Sequence, residues 1–167
     1  LTARAADAAA SMLREGKIHA AFFTSATLSR AKAKGGIRPL FSQRQMIGDS
    51  QTLFLIARTE FLQKNRAAVV DFLEDYVRAL RWFIDPANRT EAVQITAKFL
   101  KRPIRALKFW VYGDWDYYRD PSAMPNVANL QRNLNFMHEI GVSKTKVEVS
   151  RYLDLSYLKV ALARIDK

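Results

Sequence analysis

The sequence predicts an α/β fold, and three observations predict it. Residues 51–58 begin with Gln51 and the run Thr52, Leu53, Phe54, Leu55 and Ile56, which follows the breakers Gly48, Asp49 and Ser50. An apolar, partly β-branched run this short reads as a strand, buried on both faces. Directly after it the period changes. Val69, Phe72, Leu73, Tyr76, Leu80 and Phe83 recur every three or four residues, with Asp71, Glu74, Asp75, Arg78 and Arg81 mostly between them, which is the pattern of a long one-sided helix. Upstream, residues 1–41 spell helix, strand, helix, strand. A buried strand feeding an amphipathic helix needs a sheet and a helix layer to pack against, and that is the frame of an α/β domain.

Taken in order, the chain opens on a helix with Ala6, Ala9, Ala10 and Leu13 along one face, ended by Gly16 as a left-handed cap. This opening has early charges and a helical pattern in place of the apolar core and cleavage site of a secretory leader. Residues 18–23 read as a buried strand. Residues 24–27 follow as a polar turn in which Thr24 or Ser25 caps a helix through Ala33, stopped by Lys34, Gly35 and Gly36. Residues 37–41 make a short strand, and Pro39 places it at an edge or an end. Residues 42–50 are polar and aperiodic, the most linker-like stretch in the chain.

After the strand from Gln51, a short turn leads through Asn65, a plausible cap, into the long helix, which Asp85 and Pro86 end. Asn88, Arg89, Thr90 and Glu91 have capping-box spacing for a helix through Leu100, on Ala92, Val93, Ile95, Phe99 and Leu100. The same residues match a glycosylation sequon; capping is assigned, because nothing else suggests a eukaryotic secretory setting. Pro103 opens another short helix. Residues 109–120 are rich in aromatics, suited to a platform for a planar ligand or to a lid over a helical core. Asp114, Asp116 and Asp120 would repel phosphates there, which favours the lid. Residues 121–126 form a loop and 129–140 a helix on Leu130, Leu134, Met137 and Ile140, closed by Gly141. Residues 145–149 are extended, and 155–165 form a last helix on Leu155, Leu158, Leu162 and Ile165.

At 167 residues, with 49% hydrophobic and 26% charged residues, the chain has the composition of an ordinary globular protein. No run approaches the roughly 20 apolar residues of a membrane span. The absence of cysteine excludes disulfides, thiolate nucleophiles and cysteine zinc sites. The 27 Lys and Arg outnumber the 16 Asp and Glu, and the excess is uneven: eight basic and two acidic residues in 1–48, seven of each in 49–100, twelve against seven in 101–167. Basic flanks attract anionic ligands or polyanions, and scattered Lys and Arg also simply keep a protein in solution.

His19 and His138 are the only histidines, one in an apparent strand interior and one late in a helix, so the sequence assembles no zinc or triad constellation. There is no GxGxxG and no phosphate loop. Glu74 and Asp75 are adjacent on the long helix and point to different faces. The residues favour a binding or structural role over a self-contained enzyme, with no catalytic residue, metal or cofactor expected.

The order of these segments resembles the ABC-transporter substrate-binding proteins of the nitrate, sulfonate and taurine type. The resemblance rests on Gly16, Lys17, Ile18, Ala20 and Ala21, on Gly35, Gly36 and Leu40, on residues 55–58 with Phe61 and Leu62, on the helix over 67–83, and on the ending 154–158. His19 stands where that family usually has Asp. Thr24, Ser25 and Ala26 stand where it often has Trp, an acid and Pro, which leaves a polar turn with two hydroxyls.

The resemblance implies a type II periplasmic-binding-protein-like fold, two lobes with mixed sheets flanked by helices, closing on a ligand by hinge motion. On that alignment residues 1–48 are part of the second lobe, 49–167 are the returning hinge strand and the C-terminal part of the first lobe, and the front half of the fold is expected to precede Leu1. The implied function is that of a monomeric solute-binding component of an ABC importer, periplasmic or lipid-anchored. It would bind a small anionic solute of sulfonate, nitrate, taurine or aromatic carboxylate type and deliver it to a permease in the membrane. The expected ligand-binding residues are Thr24, Ser25 and Thr27 as hydrogen-bond donors, with Asp49, Ser50 and Gln51 at the hinge side. Two other readings are open: an enzyme on the same fold, similar to the pyrimidine synthase of thiamine biosynthesis or to the sulfinate desulfinases, and a nucleic-acid binder, which charge alone suggests.

Overall fold

A computed structural model describes residues 3–48, 51, 53–107 and 118–167. Among the described residues the regular structure is entirely helical: α1 (Ala3–Arg14), α2 (Ser25–Ala33), α3 (Gln43–Ile47), α4 (Thr59–Lys64), α5 (Arg66–Ile84), α6 (Arg89–Leu100), α7 (Ile104–Leu107), α8 (Val127–Glu139) and α9 (Ser156–Ile165). Short 3-10 turns lie at Pro86–Asn88 and Val149–Tyr152. The expected α/β fold with mixed sheets, and with it the type II periplasmic-binding architecture, is therefore corrected: no described residue belongs to a strand. Residues 20–24, 37–42 and 53–58 are non-helical and unbent, as strands would be. They have no ladder partner, and a strand exists only through the hydrogen bonds of a neighbour. Apolar composition nominates a segment for a sheet without supplying the second strand. The expected burial of 53–56 fails for the same reason, since all four side chains are exposed.

The chain divides into two compact units. The first comprises Leu1–Phe41 and Pro86–Tyr118. In it α1 packs on α2, burying Ala10, Leu28 and Ala31. Gly16 takes φ 69° and ends α1 as a left-handed cap, where a Cβ would be strained. Arg14, in the last turn of α1, donates from Nε to Gly35 O (3.0 Å) and from Nη2 to Ala31 O (2.8 Å). One guanidinium thus meets two carbonyls at the C-terminal end of α2, where a cation is favoured, and shares Ala31 O with the Lys34 N–H. The last turns of both helices lie together, so the intervening segment 17–24 runs back along the pair. In the same unit α6 contacts α7 and the 3-10 turn before it, with Ala92, Val93 and Ala97 buried. Asn88 is the N-cap residue of α6, but its side chain makes no capping bond, so the predicted capping box does not form. The aromatic-rich stretch 109–120 lies, up to residue 117, outside the described residues.

The second unit comprises Ser42–Asp85 and Arg119–Lys167 and is built on the packing of α5 against α9. Its core holds Val70, Tyr157 and Ala161, with Leu62, Val69 and Leu73 against it. The buried stripe of α5 is rotated from the predicted one: Val70 and Val77 are buried, while Phe72 and Tyr76 are exposed and stack on each other (centroids 6.4 Å apart). On α9 the contact likewise falls on Tyr157, Leu158 and Ala161. Small residues let the helices approach, and the larger aromatics of the predicted face are left at the rim. Arg66 lies over the Tyr157 ring, 4.4 Å from its centroid, covering the seam at one end.

Charged pairs bind the same two helices. Arg81 donates to Asp166 Oδ1 (2.7 Å) and to Pro121 O (3.1 Å). The bond to Arg81 holds the Asp166 carboxyl below its ordinary pKa, and raises that of Arg81. Asp154 accepts from Ser156 N (2.9 Å) at the start of α9; that backbone bond, the Ser156 hydroxyl and the nearby Arg66 cation lower its pKa. The linker-like 42–50 contains a helix after all. Ser42 accepts from Gln45 N (3.2 Å) and Gln45 Oε1 accepts from Ser42 N (2.8 Å), a complete capping box that starts α3.

Candidate anion-binding site

Thr24 is the N-cap of α2, with φ −72° and ψ 160°. Its Oγ1 accepts from Thr27 N at 3.4 Å, and the two hydroxyl oxygens are 3.0 Å apart. Thr27 Oγ1 donates to Thr24 O at 3.0 Å. With the Thr27 proton spent on that carbonyl, Thr24 donates to Thr27, so both hydroxyls are engaged within the cap. The first N–H groups of any α-helix lack an intrahelical acceptor, and in α2 the one at Thr27 is met by the Thr24 side chain. Thr24 is exposed and Thr27 half-buried. The positive end of a helix dipole favours an anion near such a turn.

Electrostatics agree in sign. From Gly16 to Gly48 the chain contains no Asp or Glu, and it carries Lys17, Arg30, Lys32, Lys34, Arg38 and Arg44. Asp7 on α1 lies 3.9 Å from Arg30 Nε, at the outer limit of an ion pair and with both side chains well exposed. Arg30, Lys32 and Lys34 sit toward the far end of α2, where salt screens most of their effect at Thr24.

The remaining expected residues fall elsewhere in the chain. Asp49 and Ser50 lie outside the described residues. Gln51 belongs to the second unit, where its side chain bridges two stretches of backbone: Nε2 donates to Leu53 O, and Oε1 accepts from the N–H of Asn126 (2.9 Å), the N-cap residue of α8. Sequence reasoning passed over Arg14, because its partners lie 17 and 21 residues on and no local motif marks them. The Ser42 and Gln45 pair, by contrast, was readable from its spacing. Among the described residues no group of three His, Asp or Glu side chains could hold a metal ion, and no helix is long and apolar enough to cross a membrane. Neither a scan against protein-family models nor searches of curated proteins and of solved structures finds a match to this chain.

Proposed function

We propose that the chain serves in solute uptake, as part of the binding component of an ABC importer that takes a small anionic solute and hands it to a membrane permease. One observation carries the reading: α2 starts, at the Thr24 cap, within a stretch, residues 16–48, that has six Lys and Arg and no carboxylate. The sequence resemblance described above supplies the importer context. It no longer brings a sheet-bounded crevice with it, so the reading rests on the turn at Thr24 and not on the architecture. The solute class is sulfonate, nitrate, taurine or aromatic carboxylate, each of which presents oxyanions to N–H donors. No catalytic group is required.

Magnitude limits what this turn does alone. An exposed helix terminus contributes about 0.3–1 kcal/mol to anion binding, less than tenfold in affinity. The chain by itself is therefore expected to bind weakly, with other groups supplying the rest. The test is an amide-resolved NMR titration with nitrate, taurine and benzenesulfonate against chloride at matched ionic strength. Saturable shifts centred on the amides of Ser25, Ala26 and Thr27 are expected for at least one of the three. Shifts spread evenly over the basic surface, or none beyond the chloride control, would sink the proposal.

A further inference from the structure

The strap at residues 53–57 makes an unusual pair of demands on its surroundings. Leu53, Phe54, Leu55 and Ile56 are consecutive and exposed, at 65%, 54%, 67% and 83%. Among the described residues, the backbone N–H and C=O groups of residues 54–57 make no hydrogen bond, and Leu53 O is met only by the Gln51 side chain. The segment runs without a turn or bend. It is also held at both ends within its own unit. Gln51 ties its start to the backbone at Asn126. At the other end Arg58 O accepts from Leu62 N (3.1 Å), and Arg58 caps α4.

Each candidate occupant meets one demand or both. A lipid surface covers apolar side chains but offers nothing to backbone N–H and C=O groups. A helix has its own backbone bonds satisfied internally and fails in the same way. A nucleic acid could accept from the N–H groups, yet its phosphates would lie along a run with no cation between Leu53 and Ala57. Water satisfies the backbone and leaves the four side chains bare. An extended polypeptide meets both demands, because its own ladder pairs with the N–H and C=O row while its alternating side chains cover the apolar ones.

We propose that residues 53–57 are a docking edge for an extended apolar polypeptide strand that adds to this chain by main-chain pairing. The fixed ends pre-organise the strap, which removes part of the ordering cost of such pairing. Selectivity is expected to be modest, since main-chain bonds carry the affinity.

The experiment uses the full chain and a fluorescent peptide with the sequence of residues 53–58 between lysine pairs. Saturable binding is expected, with loss of about tenfold or more when alternate peptide nitrogens are methylated, because methylation removes the N–H donors and keeps the apolar side chains. Leu55→Pro in the chain should weaken binding similarly. Its helical circular dichroism should be unchanged, since Leu55 packs on nothing. Phe99→Ser, at another exposed apolar position, should leave binding as it was. Self-association that the peptide dissolves also supports the proposal, as a second copy presents such a strand. Absence of binding, equal binding of the methylated peptide, or indifference to Leu55→Pro would overturn it.

Discussion

Arg164 on α9 donates from Nη1 to Asp71 Oδ1 on α5 at 2.6 Å, and the same atom lies 3.6 Å from Glu74 Oε2. The pair fixes which flank of α5 faces α9, because Asp71 lies one residue after the buried Val70. Arg78 closes the cluster by donating to Glu74 at 2.8 Å, one helical turn away.

Breaking this pair should cost little. Its side chains are largely exposed, and solvent screens such pairs. Arg164→Met is expected to lower the melting temperature slightly, and high salt should erase the difference from the parent chain. A loss that persists in high salt would show that Arg164 acts through packing instead.

The apolar seam carries far more. Val77 on α5 is fully buried, and Ala161, in the core cluster where α9 meets α5, has no exposed surface. Val77→Ala should destabilise by about 2 kcal/mol, through lost transfer energy and a cavity. Ala161→Leu should cost about 1–3 kcal/mol by forcing the helices apart. Denaturant unfolding of each variant measures both; a neutral Ala161→Leu would contradict the tight approach of the two helices.

Arg14 is expected to matter to the first unit more than its surface position suggests. Arg14→Met keeps the aliphatic stem and removes both bonds to the end of α2, a loss of about 1–2 kcal/mol. Lys at this position should recover only part, since one ammonium cannot reproduce the two-pronged geometry. Hydrogen exchange at the α2 amides is the direct readout.

Acid should weaken the second unit in a defined direction. Asp154 and Asp166 have pKa values lowered in the folded state by their bonds to Ser156 and Arg81. A depressed carboxyl contributes stability that is present above its unfolded value and is lost as pH falls through the folded one. The loss attributable to these groups is therefore expected below about pH 4. Asp166→Asn combined with Asp154→Asn should flatten the stability profile there, and an unchanged profile would assign the acid sensitivity elsewhere.

Thr24 separates capping from binding. Thr24→Ala should weaken α2 by about 1 kcal/mol, whereas Thr24→Asp should keep the cap, since Asp is as good a cap as Thr. Its carboxylate at the same place should repel an anionic solute. Retained helix stability with lost solute shifts is the expected result for Thr24→Asp. Unchanged solute shifts would move the anion away from this turn.

The helices were legible in the sequence because their signals are local. Gly16, Gly141, the Thr24 cap and the periodic stretches over 66–84 and 156–165 all formed helices close to where the pattern put them. The choice of buried face was less legible. Hydrophobicity favoured Phe72 and Tyr76, but the smaller Val70 is the residue of α5 that joins Tyr157 and Ala161 in the core, and Val77 is buried as well. The sheet was misread for a deeper reason, since residues 53–56 have every local mark of a strand and the missing ingredient is nonlocal. At the candidate site, the cap geometry of Thr24 and Thr27 could be inferred from sequence. The clamp by Arg14 could not, as it depends on how α1 and α2 pack.

The seam between α5 and α9 also sets a clock for the nascent chain. About seventy residues separate Ile84 from Ser156, and at ~5–20 residues per second a ribosome needs roughly 4–14 s to make them. A helix forms in about a microsecond or less. During synthesis α5 therefore stands complete for seconds, with Val70 bare, before the segment that supplies Tyr157 and Ala161 exists. In the cell, this is the interval in which a holdase or an aggregate would compete with α9 for the same stripe.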